Sequence, residues 1–223
     1  MKRRPAVCGR FAAAAAMLAA AAWLLRPFPD VVGTAMTTMA DRSSAERINL
    51  SRGLALIDGA TLQPNVPWSL SARLGARTRH RGFVAGISRL GEARVPTAGG
   101  GLCQLASTVH LAALRAGLDP LDRHGHRQPV RSMPPGLDAT LWEGGQDLVL
   151  VNRGAAPVRL RAEFTGQHLR IRFTGWADGR SHQWALSVRP DGRRLLATGE
   201  RRTWLTDGTL APSLRWSDAY SSP

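Results

Sequence analysis

The sequence predicts an α+β fold: a central helix with a cysteine at its N-terminus, packed on a mostly antiparallel sheet, followed by a β-hairpin-rich C-terminal appendage. Three observations predict it. The glycine triplet Gly99-Gly100-Gly101 runs into Leu102-Cys103-Gln104, beyond which Leu105, Val109, Ala112, Ala113 and Ala116 fall on one helical face and Gly117 supplies a stop. From Val158 the pattern switches to period two, through Leu160, Ala162 and Phe164, then Leu169, Ile171 and Phe173, then Trp184, Leu186 and Val188. Asp191-Gly192 between apolar runs is a hairpin turn.

The remaining elements follow in chain order. Lys2, Arg3, Arg4 and Arg10 precede an apolar run from Phe11 to Leu25 that Arg26 ends. A basic segment before such a run reads as a secretory signal or a short membrane anchor, assigned to residues 1–35. Small-residue cleavage points lie at Ala20-Ala21-Ala22 and Gly33-Thr34-Ala35. Ser43 and Glu46 form a capping box that opens a helix through Ile48, Leu54 and Ile57, closed by Asp58-Gly59. Trp68 to Leu74 and Phe83 to Leu90 read as strands around a basic, glycine-bounded loop with Arg77, Arg79, His80 and Arg81. After the central helix, short strands are expected near Asp138 to Trp142 and Leu148 to Asn152. The main domain is assigned to 45–153 and the β-rich extension to 154–223.

Composition narrows the partners. The formal net charge is +14, and Lys2 is the only lysine, so arginine carries the basicity. Such a surface favours anionic envelope polymers or lipid headgroups. Nucleic acid is not expected, because the leader exports the chain and no zinc finger, recognition helix or aromatic single-strand platform is present. Without lysine beyond the leader, Ser-Lys and Schiff-base mechanisms are excluded.

Cys8 lies ahead of the apolar run, so Cys103 is a lone thiol in the exported part. Unpaired amides and the helix dipole at a helix N-terminus favour the thiolate, which is the nucleophile. The plain alternative is a small buried side chain beside a tight turn. A nucleophilic cysteine needs a base. His110 is two turns along the same helix and too far; it reads as a surface or groove residue. His124 and His126 follow a reversal at Leu118-Asp119-Pro120 and would share a face in a strand. Asp138 is the best carboxylate to orient an imidazole. Cys103, His124, His126 and Asp138 could alternatively ligate zinc, a metal-binding envelope domain; no cofactor is assigned.

Several motifs together resemble one family. Gly-Gly-Gly-Leu-Cys-Gln at 99–104 with Ser107-Thr108, Arg123-His124-Gly125-His126 with Pro129-Val130, Pro135-Gly136-Leu137-Asp138-Ala139-Thr140, and Asp147-Leu148 with Asn152 resemble the VanW domain. Asn49, Trp68-Ser69, Gly75-x-Arg77-Thr78 and Arg81-Gly82-Phe83 extend the likeness upstream, over about Ala45 to Arg153. Asn65, Trp68, Ala106 and Arg127 depart from the family pattern. VanW is named after an accessory protein of vancomycin-resistance clusters. The resemblance implies an exported protein of the periplasm or extracytoplasmic envelope, working on peptidoglycan stem peptides. Some VanW domains look to be cysteine L,D-transpeptidases, which makes Cys103 the nucleophile by motif. His126, or else His124, is the expected base and Asp138 its orienter. The amides of Leu102, Cys103 and Gln104 are expected to form an oxyanion site, with Gly101 and Arg123 also at the substrate. The alternative role is non-catalytic wall binding or resistance accessory work.

Overall fold

Strand alternation and one heavily buried helix organise the molecule. The computed structural model describes Phe28, residues 30–90 and residues 93–221. The expected leader therefore falls largely outside the described residues. Its last part does not: Asp30–Thr38 form strand β1. Gly33 is needed there, because an added Cβ would lie 2.5 Å from the Ala112 carbonyl oxygen on the central helix.

β1 pairs antiparallel with β9 (His168–Gly175), which pairs with β8 (Val158–Thr165), which pairs with β2 (Thr61–Leu62). The central helix, α3 (Leu102–Arg115), lies against β1 and β9. Ala35, Leu160, Leu169, Ile171 and Phe173 face it from the sheet and are buried. The period-two segments at 158–173, expected as an appendage packed on the domain or else as the other half of the sheet, complete the sheet under the central helix. α1 (Ser44–Ile57) keeps its capping box, with Ser43 and Glu46 satisfying each other's backbone groups. It crosses α3 closely enough that a Cβ on Gly53 would meet Leu105 at 2.7 Å.

Smaller sheets complete the frame. β3 (Trp68–Ser69), β7 (Val149–Val151) and β6 (Asp119–Asp122) form one, and β4 (Ala85–Leu90) with β5 (Ala93–Ala98) a separate hairpin. The strand expected over Trp68 to Leu74 stops after two residues. The Ser69 hydroxyl caps a short helix, α2 (Leu70–Leu74), by accepting from the Ala72 amide. β10 (Ser181–Asp191), β11 (Arg194–Trp204) and β12 (Leu214–Ser221) form the C-terminal three-stranded sheet, with Asp191-Gly192 at its first hairpin. Among the described residues no helix is long and apolar enough to cross a membrane.

Two expectations change. Asp138 to Trp142 is not a strand but an irregular segment stitched to its neighbours by side chains. Its backbone exchanges hydrogen bonds with Ser107 of α3, and the Thr140 amide donates to the His124 carbonyl, in place of a ladder. His110 is not a surface residue: it is 1% exposed, because that same segment covers its side of α3.

Candidate active site

The glycine turn is built by close backbone approach. Gly99 and Gly101 have φ of 81° and 97°, in the left-handed region that glycine tolerates. Gly100 packs on Gly86 so tightly that a Cβ would lie 2.2 Å from the Gly86 backbone. Asn49 of α1 fixes the turn: its amide nitrogen donates to the Gly100 and Val84 carbonyls at 2.9 and 3.0 Å, and its oxygen accepts from the Val84 amide at 2.8 Å. Cys103 leaves this turn as the second residue of α3 and is half-buried.

Opposite it stands the segment carrying Asp138. Ser107 of α3 donates to the Ala139 carbonyl and accepts from the Ala139 amide, at 3.2 and 3.0 Å. His110 Nδ1 bonds the Leu137 carbonyl at 2.9 Å. Burial, then the charge of Arg123, push the His110 imidazole down to about 3, so it is neutral and serves packing. The Thr140 amide and hydroxyl both donate to the His124 carbonyl, at 2.8 and 3.0 Å. These bonds hold residues 124–126 and 137–141 against the N-terminal half of α3.

His126 and Asp138 meet within this clamp. His126 Nδ1 donates to Asp138 Oδ2 at 2.6 Å, and the His126 backbone amide donates to the same oxygen at 2.7 Å. That leaves Nε2 free of Asp138, and the His126 ring lies near enough to the Cys103 sulfur for each to bias the other's protonation. The sulfur also lies 3.8 Å from the Leu141 carbonyl oxygen. Burial alone pushes the thiol up, but the His126 hydrogen bond and charge, with Arg77 adding, bring it below the ordinary value. Burial likewise works against a charged imidazole, yet the bonds to Asp138 and Cys103 raise His126 to about 9. Asp138 is fully buried, and the bonds from His126 and Tyr220 outweigh that burial and hold its carboxyl below the usual range. The two shifts run the same way, toward a charged imidazole and a more readily ionised thiol.

The second oxygen of Asp138 is held from an unexpected quarter. Tyr220, on the last strand, donates its hydroxyl to Asp138 Oδ1 at 2.5 Å and accepts the Gly136 amide at 2.6 Å. Trp216 Nε1 donates to the Gly136 carbonyl at 2.7 Å, and the Ser221 amide to the Arg127 carbonyl at 2.7 Å. β12 thereby grips both loops that carry the dyad. Sequence reasoning missed Tyr220, although it is the only tyrosine in the chain.

The other expected residues are distributed as follows. His124 is turned away, its Nε2 paired with Asp122 Oδ1 at 2.9 Å on the surface. Gly125 between the histidines is crowded by Asp218 and Tyr220, and the chain there is not a strand, so the two rings do not share a face. Arg123 lies beneath the dyad: Nε donates to the Asp138 carbonyl at 2.8 Å and a terminal nitrogen pairs with Asp218 at 2.6 Å. The Leu102 and Gln104 amides, expected at an oxyanion site, instead donate to the Gly99 and Gly101 carbonyls inside the turn. The Gln104 side chain donates to Thr37 Oγ1 and the Thr38 carbonyl, tying α3 to β1. Among the described residues, no group of three or more His, Cys, Asp or Glu side chains could hold a metal ion.

Cys103 and His126 open onto a cleft of about 660 Å³. Gly101, Leu102 and Gln104 line its floor, Leu141 and the partly exposed Trp142 its rim, and Arg77, Arg94 and Arg131 give it a basic wall.

Comparison with known proteins places the chain. It is 32% identical over 140 residues to the "Uncharacterized protein YoaR" of Bacillus subtilis (strain 168), an alignment covering 63% of this chain. The chain spans less than half of that relative, 46% of its length. No solved structure matches. The model of the VanW family, described as "VanW like protein", matches residues 45–174, which takes in the glycine turn, α3 and both loops of the dyad. This chain belongs to the VanW family.

Proposed function

We propose that this protein is an exported envelope enzyme that transfers acyl groups between peptidoglycan stem peptides through Cys103, in the manner of a cysteine L,D-transpeptidase. The observation that carries the reading is the His126 ring, bonded to the buried Asp138 through Nδ1, lining the same cleft as the Cys103 sulfur. A paired thiolate beside a basic imidazole is the equipment of acyl transfer.

The Cys103 thiolate attacks the carbonyl of the third stem residue, and the Cys103 amide at the helix N-terminus faces the oxyanion. The imidazolium of His126 gives its proton to the departing amine of the terminal D-residue as the carbon–nitrogen bond breaks. A thioester remains. The neutral imidazole then takes a proton from an acceptor amine, which attacks the thioester and expels the thiolate. Asp138 stays ionised throughout and fixes the ring through Nδ1, the orienting part played by the acid in serine and cysteine triads.

Wall material incubated with purified protein is expected to gain links between third residues and to release D-alanine, read by muropeptide analysis. Cys103→Ala is expected to abolish both. Equal cross-linking by Cys103→Ala overturns the catalytic reading. A second reading, a non-catalytic wall-binding module, is favoured by the outer face of β8 and β9, where Arg161 pairs with Asp58, Arg170 and Arg172 share Glu163, and Arg159 stacks on Phe28. Wild-type protein that forms no links but sediments with peptidoglycan would support that reading instead.

A further inference from the structure

One arginine in the cleft wall is built differently from the surface arginines around it. The side chain of Arg77 is only 9% exposed. Its Nε pairs with Glu143 Oε1 at 3.2 Å, and Glu143 also accepts the Arg77 backbone amide at 3.2 Å. Glu143 itself is 65% exposed on the cleft rim, so it is a solvated, displaceable partner rather than a buried counter-ion. The two terminal guanidinium nitrogens of Arg77 have no acceptor among the described residues. A nearly buried guanidinium with its outward fork unfilled is suited to a carboxylate, which it can hold in a bidentate pair.

Its place in the cleft says which carboxylate. The stem of Arg77 rests on Gly99, where a Cβ would meet Arg77 Cδ at 2.9 Å, so it touches the turn that delivers Cys103. Its charge reaches the sulfur and helps to draw the thiol down. In a peptide one residue longer than the attacked carbonyl, the terminal carboxylate lies one residue repeat away, roughly 3.8 Å between successive Cα atoms. A carboxylate held on the turn that delivers the sulfur, in the same cleft, fits the leaving residue rather than a distant part of the stem.

We infer that Arg77 is the anchor for the free terminal carboxylate of the acyl donor, so that the cleft selects peptides ending one residue beyond the attacked bond. The inference rests on the reading of Cys103 as the nucleophile. On it, Glu143 occupies the anchor in the empty cleft and swings out when the donor carboxylate arrives. A longer chain or an amidated terminus leaves the guanidinium paired only with Glu143 and gains nothing from it.

Binding can be measured without turnover, which keeps this test apart from the catalytic reading. The full chain carrying Cys103→Ala is titrated calorimetrically with a stem tetrapeptide ending in D-alanine, and with the same peptide as its C-terminal amide. The free acid is expected to bind at least about tenfold tighter, the scale of a charge-assisted hydrogen bond. Adding Arg77→Gln is expected to erase that difference while leaving amide binding unchanged. Arg77→Lys, which keeps the charge and guards against a folding defect, is expected to retain part of it. Equal binding of acid and amide by the Cys103→Ala protein, no binding of either, or an equal loss of both on Arg77→Gln would overturn the inference. Cross-linking by Cys103→Ala wall incubations would instead overturn the catalytic reading and leave the binding result standing.

Discussion

Asp138 and His126 show how a single side chain is made to serve chemistry by what surrounds it. A buried carboxylate without donors would take up a proton; Asp138 stays ionised because His126 supplies two donors and Tyr220 a third. The charge so kept raises His126, and His126 in turn lowers Cys103. A measurable consequence is the pH profile of thiol alkylation. Because His126 stays charged below about 9 and its charge draws the Cys103 thiol down, iodoacetamide modification of Cys103 is expected to slow less between pH 8 and pH 6.5 than that of a free thiol. An ordinary thiol would slow about twentyfold over that interval. His126→Ala is expected to restore the ordinary slope, whereas His124→Ala, on a surface ring paired with Asp122, is expected to leave the shallower slope unchanged. A wild-type profile with the ordinary slope would return Cys103 to a plain buried thiol.

At the scale of elements, α3 is held from three sides: by the four-stranded sheet beneath, by α1 across Gly53, and by the Leu137–Leu141 segment above. The glycine turn, the helix and the capping box of α1 were legible in sequence because each is a local signal: positive φ, apolar periodicity, reciprocal capping. The irregular path of 137–142 was not, because what fixes it is a set of side-chain bonds from distant residues, Ser107, His110 and Tyr220. For the same reason the two histidines could not be told apart by spacing. Gly125 packs against Asp218 and Tyr220 of the last strand, and Asp138 binds both the His126 amide and its ring, contacts that sequence spacing does not reveal. β12 is therefore an element of the site. Tyr220→Phe leaves both Asp138 Oδ1 and the Gly136 amide short of a partner in a buried place. It is expected to cost about 1–3 kcal/mol in urea denaturation. A loss within a few tenths of a kcal/mol would mean that water replaces the hydroxyl and the strand contributes little.

For the whole molecule, the arrangement is a division of labour between two sheets. The four-stranded sheet carries α3 and so positions the sulfur, while the three-stranded C-terminal sheet clamps the loops that bring imidazole and carboxylate to it. The family match ends at residue 174, yet Tyr220 and Asp218 beyond it reach into the same cluster. The arginine-rich composition, read from sequence as a preference for anionic partners, divides likewise between the outer face of β8 and β9 and the basic wall of the cleft. The central claim is that the sulfur of Cys103 forms a covalent bond to the donor's acyl group. The most direct test is mass spectrometry of protein rapidly quenched in acid after mixing with a stem tetrapeptide and no acceptor amine. The account predicts a mass increase equal to the tetrapeptide less its terminal D-alanine, confined to the proteolytic fragment containing Cys103 and missing from Cys103→Ala. An unmodified Cys103 fragment while D-alanine accumulates, or the same adduct on the Cys103→Ala protein, would contradict it.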